Sequence, residues 1–258
     1  MPNRPRLKFD TWPAAVYAIG DVHGCIEQLH RLEAMIVADG TQIAGEKWIL
    51  TLGDYIDRGP ASPAVLDHVL SPAPAGFRRL ALVGNHEQLL LDFLGNAAAH
   101  TEWLEWGGLN TAEAYGMPPD PEQLWRRDPY GYAERLRPLI PARHLDLLDD
   151  LPICVSLPKF FFVHAGIRPG VPLDRQEDED LIWIRAPFLN ARLAGDITVV
   201  HGHTPVDAID IAPGRIDIDT GCFRSGVLTA LRVTPDGQTK VLQAHGPKAN
   251  YVPANQRS

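Results

Sequence analysis

The sequence predicts an α/β fold: a layered α/β/β/α sandwich of two central sheets, helices outside, with a helical insertion. Three observations predict it. The first half alternates short apolar runs with amphipathic ones, and the second half is rich in strand-like runs with few helices. The chain of 258 residues suits one large domain or at most two small ones. Its 45% hydrophobic share, against 22% charged, supplies a core large enough for two layers and argues against disorder. We expect a single domain over 14–246, an insertion at about 97–150, and loosely ordered termini at 1–13 and 247–258.

The elements follow in chain order. Val16-Tyr17-Ala18-Ile19 is a short apolar run stopped by Gly20, which predicts a buried strand feeding a loop. Ile26, Leu29, Leu32, Ile36 and Val37 then recur at helical spacing. Trp48 to Leu52 predicts a second strand ending at Gly53, and Pro63 to Leu70 a short helix capped by Ser62. Leu80 to Val83 predicts a third strand, followed by a helix over Glu87 to Leu94. From Ala97 to Asp150 there are prolines, short amphipathic stretches and Trp103, Trp106 and Trp125, which we read as packing residues of the insertion. Strands return with Phe160–Val163, Ile197–Val200, Ile216–Ile218, Val227–Val233 and Lys240–Ala244.

Charge and composition narrow the function. A net charge of -8 opposes a broad grip on nucleic acid, so no nucleic-acid partner is expected. Three cysteines with no C-x-x-C pair point away from a disulfide framework or a structural zinc site. The first thirteen residues lack the apolar centre of a signal peptide, and no run approaches the roughly 18 apolar residues of a membrane span. A cytoplasmic location without a membrane partner is the expectation.

Five segments share one design, in which a strand ends and metal-grade side chains follow at once. They are Gly20-Asp21-Val22-His23-Gly24, Gly53-Asp54-Tyr55-Ile56-Asp57-Arg58-Gly59, Gly84-Asn85-His86-Glu87, Val163-His164-Ala165-Gly166 and Gly202-His203-Thr204-Pro205. Loops at the ends of adjacent strands converge in space, where open α/β sheets place their sites. Asp21 and His23, two residues apart, can hold one ion. The two oxygens of Asp54 can bridge two ions, and Asn85, His164 and His203 complete the second. This mixed oxygen and nitrogen set suits Mn, Fe or Zn. Two cations roughly 3.5–4 Å apart lower the pKa of a shared water and clamp a phosphoryl group. His86 is placed to supply an acid, Asp57 to orient it, and Arg58 to bind phosphate oxygens.

In order and wording these five segments resemble the serine/threonine phosphoprotein phosphatase family of the calcineurin-like metallophosphoesterases, in its bacterial or phage-like form. The resemblance spans about Ala18 to Gly221, with the insertion matching only loosely. It implies Asp21, His23 and Asp54 on one metal, and Asp54, Asn85, His164 and His203 on the other, with Mn2+ as the first expectation. It implies His86 as the acid, supported by Asp57, and phosphate contacts from Arg58 and a downstream arginine. Arg185 of Asp180-Leu181-Ile182-Trp183-Ile184-Arg185 matches that last element; Arg168 is the other candidate. The implied activity is phosphomonoester hydrolysis by direct attack of a metal-bound hydroxide, on a phosphorylated protein or a small phosphoester, with no covalent phosphoenzyme. The eukaryotic C-terminal signature has no counterpart, so regulatory-subunit binding of that kind is not expected.

Two other readings stay open: a symmetrical dinucleoside polyphosphate (diadenosine tetraphosphate) hydrolase on the same fold, and a non-catalytic metal-binding scaffold. The Asp57-Arg58 pair and Glu87 lean toward the protein phosphatase. His201 is read as a strand-end packing residue, the Glu177 to Asp180 run as a solvated loop, Cys25 as small packing, and Asp219-Thr220-Gly221 as structure. His30, His68, His100, His144 and His245 have no partner motif.

Overall fold

The computed structural model describes residues 4–251, apart from 121 and 194, together with residue 253. Among these residues the strands form two mixed sheets. One runs in the order Thr239–His245, Val227–Val233, Ala15–Ile19, Lys47–Thr51, Phe77–Ala81, and its last three strands are mutually parallel. The other runs Arg6–Lys8, Cys154–Leu157, Phe160–Val163, Thr198–His201, Arg215–Asp217, Asp210–Ala212.

The period-two geometry of strands explains why the sheets stack. Val16 and Ala18, Trp48 and Leu50, and Phe160 and Phe162 all enter one apolar cluster that also takes Val200, Ile216, Leu231 and Val233. The alternate residues Ala15, Tyr17 and Ile19, Ile49, and Phe161 and Val163 enter a second cluster, with Leu29, Leu32 and Ile36 from the helix Ile26–Gly40. Each sheet is therefore apolar on both faces, one toward the other sheet and one toward helices. This is the layered sandwich expected from the sequence.

Between 97 and 150 the described residues hold helical elements and no strand. Trp103 and Trp125 are buried there as expected, but Trp106 is 43% exposed. No helix among the described residues is long and apolar enough to cross a membrane.

Several boundaries differ from the sequence reading. The strand expected at Leu80–Val83 runs instead over Phe77–Ala81. Ser62 lies inside its helix, and its hydroxyl accepts the Asp57 backbone N–H. The expected looseness at 1–13 is corrected for the described part. Arg6–Lys8 pairs in parallel with Cys154–Ser156, and the Arg4 guanidinium, 3% exposed, donates to Gln88 and to the carbonyls of Leu148 and Leu151. At the other end, Ala249 N–H donates to Phe223 O and the Tyr251 ring packs on Phe223. Residues 1–3 and 254–258 lie outside the described residues. The acidic run is likewise no open loop: Asp178–Trp183 is a helix, Asp178 pairs with Arg6, and Asp180 pairs with Arg168.

Candidate active site

Parallel pairing sets the site. Strands Ala15–Ile19, Lys47–Thr51 and Phe77–Ala81 point the same way, so the loops after them emerge at one edge carrying Asp21 and His23, Asp54 to Arg58, and Asn85 and His86. Phe160–Val163 and Thr198–His201 are parallel in the second sheet and deliver His164 and His203. The backbone of these loops is strained. Seven described non-glycine residues have positive φ, and five of them are His23, Asp54, Asp57, Arg58 and His203. Such conformations cost on the order of 1 kcal/mol each and cluster where structure serves a site. Gly59 shows the crowding, since a Cβ there would collide with the His23 carbonyl.

Glu87 binds two of the loops together. Its carboxylate accepts the backbone N–H groups of Gly84 and Asp54 at 2.9 and 2.8 Å, and those of Tyr55 and Ile56 at 2.8 and 3.3 Å. Burial nevertheless brings this carboxyl up to about 7.

Asp54 is at the centre. Its Oδ2 lies 3.4 Å from His23 Nε2 and its Oδ1 3.5 Å from His164 Nε2. His23 Nδ1 donates to Ile56 O at 2.7 Å and His164 Nδ1 to Leu52 O at 2.9 Å, since a carbonyl can only accept. That fixes each neutral ring with Nε2 as the lone-pair nitrogen, the arrangement metal-ligating histidines use. Asn85 Oδ1 sits 2.9 Å from His164 Nε2 and 2.8 Å from His203 Nδ1. The Asp21 carboxylate receives His203 N–H at 3.2 Å.

Two groupings have their donor atoms close enough to share a metal ion: Asp54, His164 and His203, and His23, Asp54 and His86. The second differs from the sequence expectation, which put Asp21 with His23 and kept His86 apart. His86 reaches that grouping because its Nε2 is 3.9 Å from Asp54 Oδ2, while Asp21 faces the His203 backbone.

The donor chemistry fits divalent cations. Asp21, Asp54, Asp57 and Asp219 are all at most 2% exposed. Burial, then Asp219 and Asp54, pushes the Asp21 carboxyl well above the usual carboxylate range, and burial brings Asp54 to about 7. Burial, then the Arg58 charge, drives His23 and His86 well below the ordinary imidazole value, and burial brings His164 to about 4. Neutral imidazole is the ligating form. His164 Nε2 and Asn85 Oδ1 then face each other as two acceptors, and Asp219 Oδ2 is buried without a hydrogen-bond partner. Cations among these groups would turn each of these costs into a ligand bond or a favourable field.

Asp57 carries a network that sequence reasoning missed. Its Oδ2 is 2.6 Å from His86 Nδ1, Trp103 Nε1 donates to Oδ2 at 3.0 Å, and Thr111 Oγ1 donates to Oδ1 at 2.6 Å. Trp103 belongs to this network as well as to the core. No local signal marks it, because 46 residues separate it from Asp57.

Arg58 Nη1 lies 2.6 Å from His23 Nε2 and Nη2 2.8 Å from His86 Nε2, and its guanidinium also lies over the Phe223 ring. Arg185 Nε donates to His203 Nε2 at 3.1 Å. Arg58, Asn85, His86, Trp106, Trp183 and Arg185 line a cleft of about 230 Å³. Arg168 does not reach it: both its Nε and Nη2 bind the Asp180 carboxylate. That candidate is corrected, and Arg185 is the downstream arginine at the cleft. A roomier cleft, about 760 Å³ along Arg4, Arg6 and 174–179, contains none of the five motifs. His201 is buried with its ring edge-on to Phe188, which matches a packing role.

Comparison with known proteins follows the same lines. The family model for calcineurin-like phosphoesterases matches residues 14–232. A bis(5'-nucleosyl)-tetraphosphatase PrpE, asymmetrical, of Geobacillus thermodenitrificans is 28% identical over 83% of this chain and 88% of its own length. A symmetrical bis(5'-nucleosyl)-tetraphosphatase of Nitrosospira multiformis is 25% identical over 85% of this chain and 92% of its own. Among solved structures, a candidate diadenosine tetraphosphatase superposes with a TM-score of 0.65 at 21% identity, covering 94% of this chain and 99% of the other.

Proposed function

Because the chain belongs to the calcineurin-like phosphoesterase family, and so to the metallophosphoesterase hydrolases, we propose that it cleaves the phosphate chain of a dinucleoside polyphosphate such as diadenosine tetraphosphate. The supporting observation is that its relatives in both cleavage classes carry that activity in their names. The protein-phosphatase reading gives way to the names of these relatives. Of the residues that leaned toward it, Glu87 ties backbone N–H groups together, while Asp57 and Arg58 serve either substrate.

Asp21, His23, Asp54, Asn85, His164 and His203 are the residues we assign to two divalent cations. Mn2+ is the first choice, with Fe and Zn as alternatives. When bound, such a pair supplies an activated water and neutralises phosphoryl charge. Arg58 and Arg185 orient the phosphoryl oxygens from opposite sets of ligands, since each already touches a histidine of the site. Asp57 holds His86 Nδ1 and fixes the ring, and Nε2, which here accepts from Arg58 Nη2, would protonate the departing phosphate oxygen after taking up a proton to form the imidazolium. The intact His86, Asp57 and Arg58 constellation favours an enzyme over a metal-binding scaffold.

Initial rates of the manganese-loaded protein on diadenosine tetraphosphate and on phosphoserine or phosphothreonine peptides test the reading. Faster turnover of the dinucleotide is expected, and its products, two ADP or ATP with AMP, identify the cleavage position. Faster turnover of the peptides would restore the phosphatase reading.

A further inference from the structure

The cleft that contains Arg58, His86 and Arg185 has an aromatic rim that hydrolysis itself does not require. Trp106 and Trp183 line it, with ring centroids 5.6 Å apart at 66° in an edge-to-face contact. Trp183 also stands edge-on to His203 at 6.0 Å. Trp106 remains 43% exposed; a single exposed ring is ordinary, and it is the place of this one on the cleft rim, against Trp183, that sets it apart.

The backbone beneath it is built rather than loose. Trp106 sits in the π-turn Leu104–Gly108, a form that recurs at functional sites. The turn and the residue that caps it, Trp103, are tied to the site on both sides of Trp106. Trp103 Nε1 donates to Asp57, and Gly107, at φ 124°, offers its carbonyl to the Arg58 N–H. Trp103 and the turn that follows it thus fix the acid's partner, the phosphate-facing arginine and the exposed ring in one geometry. The cleft volume of about 230 Å³ is below the roughly 300–1,000 Å³ of pockets that enclose a whole drug-sized ligand. It can take the reacting phosphates while a nucleoside attached to them stays at the rim.

We propose that Trp106, held by Trp183, is a stacking platform for the base of a nucleoside 5'-phosphate whose phosphates enter between Arg58 and Arg185. The proposal rests on the dinucleotide reading above, and it adds the residue that recognises the base. Every nucleobase has a π-face, so the platform favours nucleotides over base-free phosphates with little discrimination among bases.

The test is a calorimetric titration of the manganese-loaded protein with AMP and, separately, with ribose 5-phosphate, which lacks only the base. Wild type is expected to bind AMP about ten- to hundredfold more tightly, as loss of one base stack commonly costs. In Trp106→Ala that ratio should fall close to one, and in Trp106→Phe most of it should return. Equal affinities in wild type, or an AMP preference undiminished in Trp106→Ala, would overturn the platform. Turnover of diadenosine tetraphosphate is read separately, so a protein that prefers AMP but cleaves phosphopeptides faster would sink the parent reading and leave the platform standing.

Discussion

His86 has two neighbours that imply different roles. Its Nδ1 is committed to Asp57 at 2.6 Å, which leaves Nε2 for the cleft beside Arg58 Nη2, where it can carry a proton only in the imidazolium form. Yet Nε2 is also 3.9 Å from Asp54 Oδ2, near enough to join a metal grouping. Trp103 and Thr111 lock the carboxylate that in turn locks the ring, and for that fixed ring we propose the acid role. His86→Ala is therefore expected to lower kcat by about 10²–10⁴ while the metal content stays at the wild-type level. Loss of an ion in elemental analysis of this variant would make the ring a ligand instead. At this scale the five motifs were legible in the sequence, because glycine, aspartate and histidine lie side by side within each loop. The partners of those residues were not. Trp103 reaches Asp57, and Asp180 draws Arg168 away from the cleft, only once the chain has folded.

At the scale of elements, one half-buried ion network joins two helices to the edge of a sheet. Glu33 of helix Ile26–Gly40 accepts from Arg79 Nη1 at 2.6 Å, on strand Phe77–Ala81, and from His68 Nε2 at 3.1 Å, on helix Ser62–Leu70. Burial opposes the carboxylate, but these two donors outweigh it and hold the pKa at about 2, against 4.5 unperturbed. A carboxylate depressed in the folded state stabilises fully above its unfolded pKa and loses that contribution as pH falls toward the folded one. Glu33→Gln should thus cost about 1–3 kcal/mol at pH 7. The gap to wild type should narrow below pH 4.5; a gap in denaturant midpoints that stayed constant from pH 7 to pH 3 would refute this. The strand Arg6–Lys8 shows why elements were read unevenly. Three residues with two basic side chains give no apolar signal, and only pairing with Cys154–Ser156 makes them a strand.

At the scale of the molecule, the site exists because two sheets present parallel strand ends at a common edge. The apolar periodicity that stacks those sheets was readable from runs such as Phe160–Val163, so the sandwich was predictable. The rim of the cleft was not, because the exposed Trp106 sits on a π-turn that no local pattern marks. The central claim is physical: six side chains from five loops converge to hold two cations, with Asp54 shared between them. Elemental analysis of manganese-reloaded wild type and Asp54→Asn tests it most directly. About two ions per chain in wild type, with both depleted in the variant, is the predicted result. Fewer than two in wild type, or an undiminished pair in Asp54→Asn, would contradict it.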